Sequence, residues 1–275
     1  MKDSINSSKR FKILVIGDSC TDMYIFGKCE RLSPESPVPV LKVSRTESRP
    51  GMASNVVKNL EGLGHEVDII TNREKIEKKR FVDEDYFHHL LRVDLEPKVE
   101  EISLDVFNNI EMYKMYDAFV ISDYCKGFLT KEKCKNIIEK LTSLDKPVFV
   151  DSKKKDISCF KNCIIKINEV EFKNSSNLPK NSELIVTLGK RGAMWNGKVF
   201  PSKSSEIDKL FERSNNQALR MANVCGAGDT FFSGLIDKYL QTSADISSAI
   251  EFGNKCASVS IDNFGTYSIK RRDVQ

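Results

Sequence analysis

The chain has 275 residues, 40% hydrophobic and 30% charged, with a net charge of +4. That composition fits one large α/β core, excludes a disordered chain, and lacks the basic stripe with interleaved aromatics of a nucleic-acid binder. No apolar run approaches the roughly 20 residues of a membrane-spanning helix, so no membrane contact is expected.

Eight cysteines occur, none with C-x-x-C spacing, which argues against a zinc knuckle. Residues Met1–Arg10 are polar and carry no signal-peptide core, so they are expected to be a short disordered lead. Reduced thiols and a cytoplasmic location follow as expectations. The clusters Lys78–Arg80 and Lys153–Lys155 fit solvated faces by default.

In chain order, Phe11–Gly17 is a continuous apolar run with the pattern of a buried parallel strand. Asp18 follows it, where open α/β sheets bind ligands, and Asp22 comes four residues later. Tyr24–Phe26 and Val38–Val43 are short β-like pieces around the proline-rich Arg31–Pro39, an exposed flap. Arg49–Asn55 leads into a helical pattern through Leu63, and Val67–Thr71 is the next strand. Arg80–Val82 and Phe87–Val93 look like strands returning to the flap.

Leu104–Tyr116 is predicted to be a helix, Ala118–Ser122 a buried strand, Lys131–Leu141 a helix and Pro147–Val150 a strand ending at Asp151. Cys163–Ile167 ends at Asn168, with Glu171 three residues on, and Leu184–Thr187 ends at Gly189. Asn196–Gly197 marks a hairpin between Ala193–Trp195 and Lys198–Phe200. A polar segment, Ser202–Asn216, precedes the glycine-rich stretch Asn223–Gly234, and helices are predicted at about Ala227–Gln241 and Ala244–Asp262.

The repeated event is apolar strand, polar residue, helix, which predicts a doubly wound, mainly parallel sheet. Asp18, Asp123, Asp151, Asn168, Gly189 and Gly226–Asp229 all fall on its ligand edge. In Gly226–Ala227–Gly228–Asp229 the glycines can expose consecutive N–H groups at a helix start, an anion site. An acid there would repel a bound phosphate, unless Asp229 is a general base beside a phosphate in transit. The bland alternative is a plain turn with an N-terminal helix aspartate.

The segments Val15–Asp18, Arg31–Val40, Arg49–Gly51 with Ala53 and Asn55, Leu90–Asp94, Ser122–Gly127, Asp151–Lys153, Asn168–Glu171 and Gly226–Asp229 together resemble the ribokinase-type (PfkB) sugar kinases. Arg31–Val40, Leu90–Asp94 and Ser122–Gly127 are most similar to its heptose 7-phosphate kinase branch. The resemblance covers about Phe11–Thr266 and implies a ribokinase-like domain over 11–270, with a small β lid from pieces at about 23–45 and 79–94. It implies Asp229 as the base and the N–H groups of Gly226, Ala227 and Gly228 as stabilisers of the transferring phosphoryl group. Asn168 and Glu171 would organise ATP and Mg2+, Glu171 through water, while Thr187, Gly189 and Asn254 would hold the nucleotide. Asp18, Gly51 and Asn55 would face the sugar, and Arg80, Lys126 and Lys153 its phosphate. The lid implies a homodimer.

Three departures from the family pattern stand out. Met52 replaces a glycine, Lys166–Ile167–Asn168 replaces Thr-Pro-Asn, and the connection from Thr71 to Arg80 is short by a helix and a strand. No cytidylyltransferase segment follows Gln275, so a kinase-only chain is expected. The departures keep open a non-catalytic relative that retains the fold, and a kinase for a different sugar.

Overall fold

Side-chain alternation along the apolar strands builds two cores, one on each face of a single sheet. In the computed structural model, which describes residues 8–86, 88–202 and 225–275, the strands are β1 (Lys12–Gly17), β2 (Ser19–Leu32), β3 (Pro39–Met52), β4 (Glu66–Thr71), β5 (Glu77–Asp83), β6 (His89–Leu95), β7 (Ala118–Asp123), β8 (Val148–Ser152), β9 (Ile164–Asn168), β10 (Glu183–Thr187), β11 (Ala193–Trp195) and β12 (Lys198–Phe200). The helices are α1 (Ala53–Gly62), α2 (Lys131–Thr142), α3 (Glu169–Asn174), α4 (Ala227–Gln241) and α5 (Ile246–Ile261). Residues 1–7 of the expected lead, Phe87, and 203–224, which hold most of the expected polar segment, lie outside the described residues.

The main sheet has eight strands in the order β12-β11-β10-β9-β8-β7-β1-β4. It is parallel from β4 through β10, and β11 and β12 close it as an antiparallel hairpin. Asn196 and Gly197 both take positive φ, 47° and 75°, as the expected hairpin turn requires. Leu14, Ile16, Phe119, Ile121, Val148, Val150 and Ile165 form one core with Ile137, Ile138 and Leu141 of α2. Their neighbours Ile13, Val15, Ala118, Val120, Phe149 and Ile164 form the other with α1, α4 and α5. A separate four-stranded sheet, β3-β2-β5-β6, forms a small lid.

The predicted helix at Leu104–Tyr116 is corrected. The chain makes two 3₁₀ turns there, Leu104–Phe107 and Ile110–Met115. Asn108 and Asn109 sit at the break, and the Asn108 amide bonds Asp105 Oδ1 at 3.3 Å instead of continuing a helix. The two short β pieces expected before Arg49 are continuous 14-residue strands, β2 and β3, paired along most of their length.

The short connection between β4 and β5 carries the chain straight from the main sheet into the lid. Asn72 fastens it: its Oδ1 accepts from Ser19 N at 2.7 Å, and its Nδ2 donates to Glu74 O at 2.7 Å. As a result β4 is an edge of the main sheet, with Ile69 exposed. Met52, where the family has glycine, has φ 56° and ψ −133°, a region that costs a side chain about 1–3 kcal/mol. Its side chain is buried in the same core as Cys20 and Leu14.

A buried polar knot ties the far ends of the chain together. Phe11 N donates to His65 Nδ1, which leaves His65 Nε2–H to donate to Asp237 at 2.9 Å. Arg271 grips the same carboxylate with bonds of 2.8 and 2.6 Å. Burial alone would raise the Asp237 pKa, but the bonds from His65 and Arg271 outweigh it and hold the carboxyl below its ordinary range. This contribution to stability is therefore present above the unfolded-state pKa and lost as pH falls through the depressed one. Asp237→Ala strands His65 and Arg271 and is expected to cost about 3–5 kcal/mol in urea unfolding at neutral pH.

Candidate active site

The C-terminal ends of the parallel strands share one rim because their register aligns them. Gly17 pairs with Ser122, Ser122 with Asp151, Asp151 with Lys166, and Asn168 with Thr187. Helix α4 begins above this rim. Its N-cap, Gly226, has φ 78°, a left-handed turn that suits glycine, and its first N–H groups have no intrahelical acceptors. Asp229 lies in the first turn and is buried.

Two neutral donors hold the Asp229 carboxylate. Tyr124 Oη donates to Oδ1 at 2.6 Å, and Asn55 Nδ2 donates to Oδ2 at 2.8 Å. Burial pushes the Asp229 pKa up, against the pull of these two hydrogen bonds. Tyr124 is itself held well above the ordinary tyrosine range, first by burial and then by the charges of Asp229 and Asp151, so it stays a donor. Tyr124 belongs to the Ser122–Gly127 segment, yet only the folded geometry shows its contact with Asp229.

Asp18 is buried at the end of β1. Its Oδ2 accepts from Tyr124 N at 2.8 Å and Lys126 N at 3.3 Å, while Oδ1 is buried without a protein partner, as are Ser19 Oγ and Ser122 Oγ. Such orphaned acceptors and hydroxyls at a ligand edge fit the hydroxyl groups of a sugar. Burial raises the Asp18 pKa above its ordinary value. Gly51 lies opposite Cys20 across β2 and β3, one residue before Met52.

Below the glycine turn lies a chain of charges, Asp151 and Lys166 buried, Lys153 and Glu171 half-buried. Lys166 Nζ is 2.7 Å from Asp151 Oδ2. Lys153 Nζ reaches Asp151 Oδ1 at 3.5 Å and Glu171 Oε1 at 2.7 Å. Burial opposes the charge on Asp151, but Lys166 and Lys153 outweigh it and lower its pKa. Burial likewise opposes the charge on Lys153, and Asp151 and Glu171 raise its pKa nonetheless. Lys153 is thus part of this cluster rather than a solvated lysine.

Asn168 and Glu171 form a reciprocal capping box on α3: Asn168 Oδ1 accepts from Glu171 N, and Glu171 Oε2 accepts from Asn168 N, both at 2.8 Å. The remaining Glu171 oxygen is the one that meets Lys153. Among the described residues no trio of acidic, histidine or cysteine side chains could enclose a metal ion. Both Glu171 oxygens are thus engaged by the protein, so an ion placed here would meet Glu171 through water rather than directly.

The other expected site residues are placed as follows. Arg80 is buried on the lid, 2.6 Å from Asp22 Oδ1, and Asp22 Oδ2 also accepts from Thr266 Oγ1 at 3.0 Å. Asp22 thus engages one amino group of the guanidinium. Lys126 Nζ is 2.5 Å from Glu96 Oε1. Thr187 Oγ1 donates to Ile167 O at 3.4 Å, Gly189 opens the turn after β10, and Asn254 Nδ2 donates to Phe200 O at 3.0 Å. Asp151, Lys166 and Tyr124 complete the rim. The signal for Lys166 was a lysine inside an otherwise apolar strand, Ile164–Asn168.

Comparisons with known proteins bear on the family and the fold. Residues 117–272 match the model of the pfkB family carbohydrate kinases. The chain is 31% identical to the bifunctional protein HldE of Campylobacter curvus over 94% of its own length and 63% of that protein's. It therefore spans under two thirds of that relative. Phosphofructokinase-2 from Escherichia coli in complex with potassium superposes with a TM-score of 0.68 at 16% identity, covering 97% of both chains. Arabidopsis thaliana ribokinase complexed with ribose and ATP gives 0.64 at 12% identity, over 97% and 98% of the two chains. At these identities the two structures establish the ribokinase-like fold.

The Tyr124 bond favours the Asp229 carboxylate, so its loss favours the acid. Tyr124→Phe is expected to raise the Asp229 pKa further, read as an upward shift of its side-chain carboxyl titration by carbon-13 NMR.

Proposed function

This chain belongs to the pfkB family of carbohydrate kinases, and on that premise we propose that it transfers the γ-phosphoryl group of ATP to the anomeric hydroxyl of a heptose 7-phosphate. The product is a heptose 1,7-bisphosphate, a precursor for surface glycans. The observation that carries this reading is the buried Asp229 carboxylate, clamped by Tyr124 and Asn55 at the start of α4. The heptose assignment is supported by the segments Arg31–Val40, Leu90–Asp94 and Ser122–Gly127, and by the resemblance to HldE.

In this reading the sugar lies between the lid and the rim, with its hydroxyls on Asp18 Oδ1 and Asn55 and its backbone approach at Gly51. Asp229 takes the proton of the acceptor hydroxyl as the oxygen attacks. Its raised pKa brings it closer to the operating pH, where a general base works best. The N–H groups of Gly226, Ala227 and Gly228 face the charge that develops on the phosphoryl oxygens. Magnesium, when bound, neutralises charge on the nucleotide phosphates. Asn168 fixes Glu171 through the capping box, and Glu171 would hold the ion through its water shell. Thr187, Gly189 and Asn254 line the nucleotide side.

Arg80, Lys126 and Lys153 are assigned to the substrate phosphate, Arg80 while one of its amino groups holds Asp22. The domain spans 11–270, with the lid contributed by pieces at about 23–45 and 79–94. Exposed Leu32, Val43 and Leu91 on the lid support pairing of two copies through it. The enzyme works in the cytoplasm, where ATP is available.

Purified chain with magnesium, ATP and heptose 7-phosphate is expected to release ADP. Asp229→Asn should lower kcat by roughly 10²–10⁴-fold, the range a general base contributes, and leave nucleotide binding largely intact. Wild-type ADP release no higher than that of Asp229→Asn overturns the reading.

A further inference from the structure

We propose that Lys166 is a phosphate-contacting catalytic residue, an ammonium seated in the mouth of the Gly226–Gly228 turn that stabilises the transferring phosphoryl group. This rests on the phosphoryl-transfer reading above and adds a group to it. The position is one where the family pattern has threonine. Alternation along β9 turns Lys166 to the same face as Ile164, toward the layer of α1, α4 and α5. Asp151, its register partner on β8, faces the same way with Phe149.

Placement then follows from contacts. A Cβ built on Gly228 would lie 3.2 Å from Lys166 Nζ, so the glycine leaves the space that the ammonium approaches. Lys166 also acts electrostatically on Asp229, lowering the pKa that burial raises. Among the described residues Asp151 is its one hydrogen-bond partner, at 2.7 Å. An ammonium has three donors, so two remain for oxygens above the turn. Burying a lysine under a helix N-terminus is unfavourable by itself, since the helix dipole and the ammonium repel. Asp151 offsets that in the resting chain, and an anion at the turn would offset it further.

The step balances as follows. The acceptor oxygen forms a bond to the γ-phosphorus while the bond from phosphorus to the β–γ bridging oxygen breaks. The electron pair leaves with ADP, and the acceptor proton passes to Asp229. Lys166 neither gains nor loses a proton; it faces the equatorial oxygens, where charge spreads in transit.

The rival account is that Lys166 only neutralises buried Asp151. Calorimetry with magnesium ADP, with and without aluminium fluoride as the mimic of the phosphoryl group in transit, separates the two. In wild type, aluminium fluoride should tighten ADP binding. Lys166→Met should lose roughly 10²-fold of that gain, the cost of removing one such donor, while binding ADP alone as before. Asp151→Asn/Lys166→Met removes both charges, should fold as judged by its Tm, and should show the same loss. A gain retained in full by Lys166→Met, or restored in the double variant, overturns the inference alone. A wild-type chain with no gain overturns both it and the phosphoryl-transfer reading.

Discussion

A carboxylate buried at the positive end of a helix, with only neutral donors touching it, governs the architecture of this molecule. Asp229 is held by Tyr124 from β7's end and Asn55 from α1, so two separate crossovers must deliver their residues to α4. The sheet supplies that convergence through register, since β1, β7, β8 and β9 end in step. Around this acid the charges are arranged in pairs. Asp151 sits between Lys166 and Lys153, Lys153 reaches Glu171, and Asp22 holds Arg80. A buried charge is tolerated where a partner is built in, and each pair here links elements that the site needs close together.

The lid is joined to the rim by the same logic. Arg80 lies on β5 and Asp22 on β2, and Asp22 also accepts from Thr266 beyond α5. Tyr24 Oη accepts from Thr266 N at 2.9 Å, and Gly226 packs near Thr266 as well. The glycine turn, the lid and the C-terminal segment therefore meet at one residue. The short passage from β4 to β5 removes material from the sheet edge, but Asn72 anchors it to Ser19, and β5 still pairs with β2.

Most of the parallel sheet was legible in the sequence because buried parallel strands are continuous apolar runs, and each one here ends at or just before a polar residue. The Asn196–Gly197 hairpin was legible because its turn demands positive φ. Leu104–Tyr116 was not: its apolar spacing suits a helix, but two asparagines sit at the break and Asn108 bonds locally to Asp105 instead. The Asn168–Glu171 spacing was recognised, but one signal covered two roles, since the residues cap α3 while Glu171 keeps a second oxygen for Lys153. Tyr124 and Lys166 were missed as site residues because their partners lie 105 and 15 residues away, the first brought in by the packing of α4 on the rim and the second by strand register. The Arg80–Asp22 pair was not legible either, since only pairing of β2 with β5 brings Asp22 against it.

The account's central claim is that Asp229 takes the proton of a sugar hydroxyl, so that the γ-phosphoryl group of ATP passes to that sugar oxygen rather than to water. Phosphorus-31 NMR of the chain turning over magnesium ATP with heptose 7-phosphate tests it directly. A new resonance split by the anomeric proton, growing in step with ADP, is the predicted result. ADP accompanied only by inorganic phosphate would contradict it.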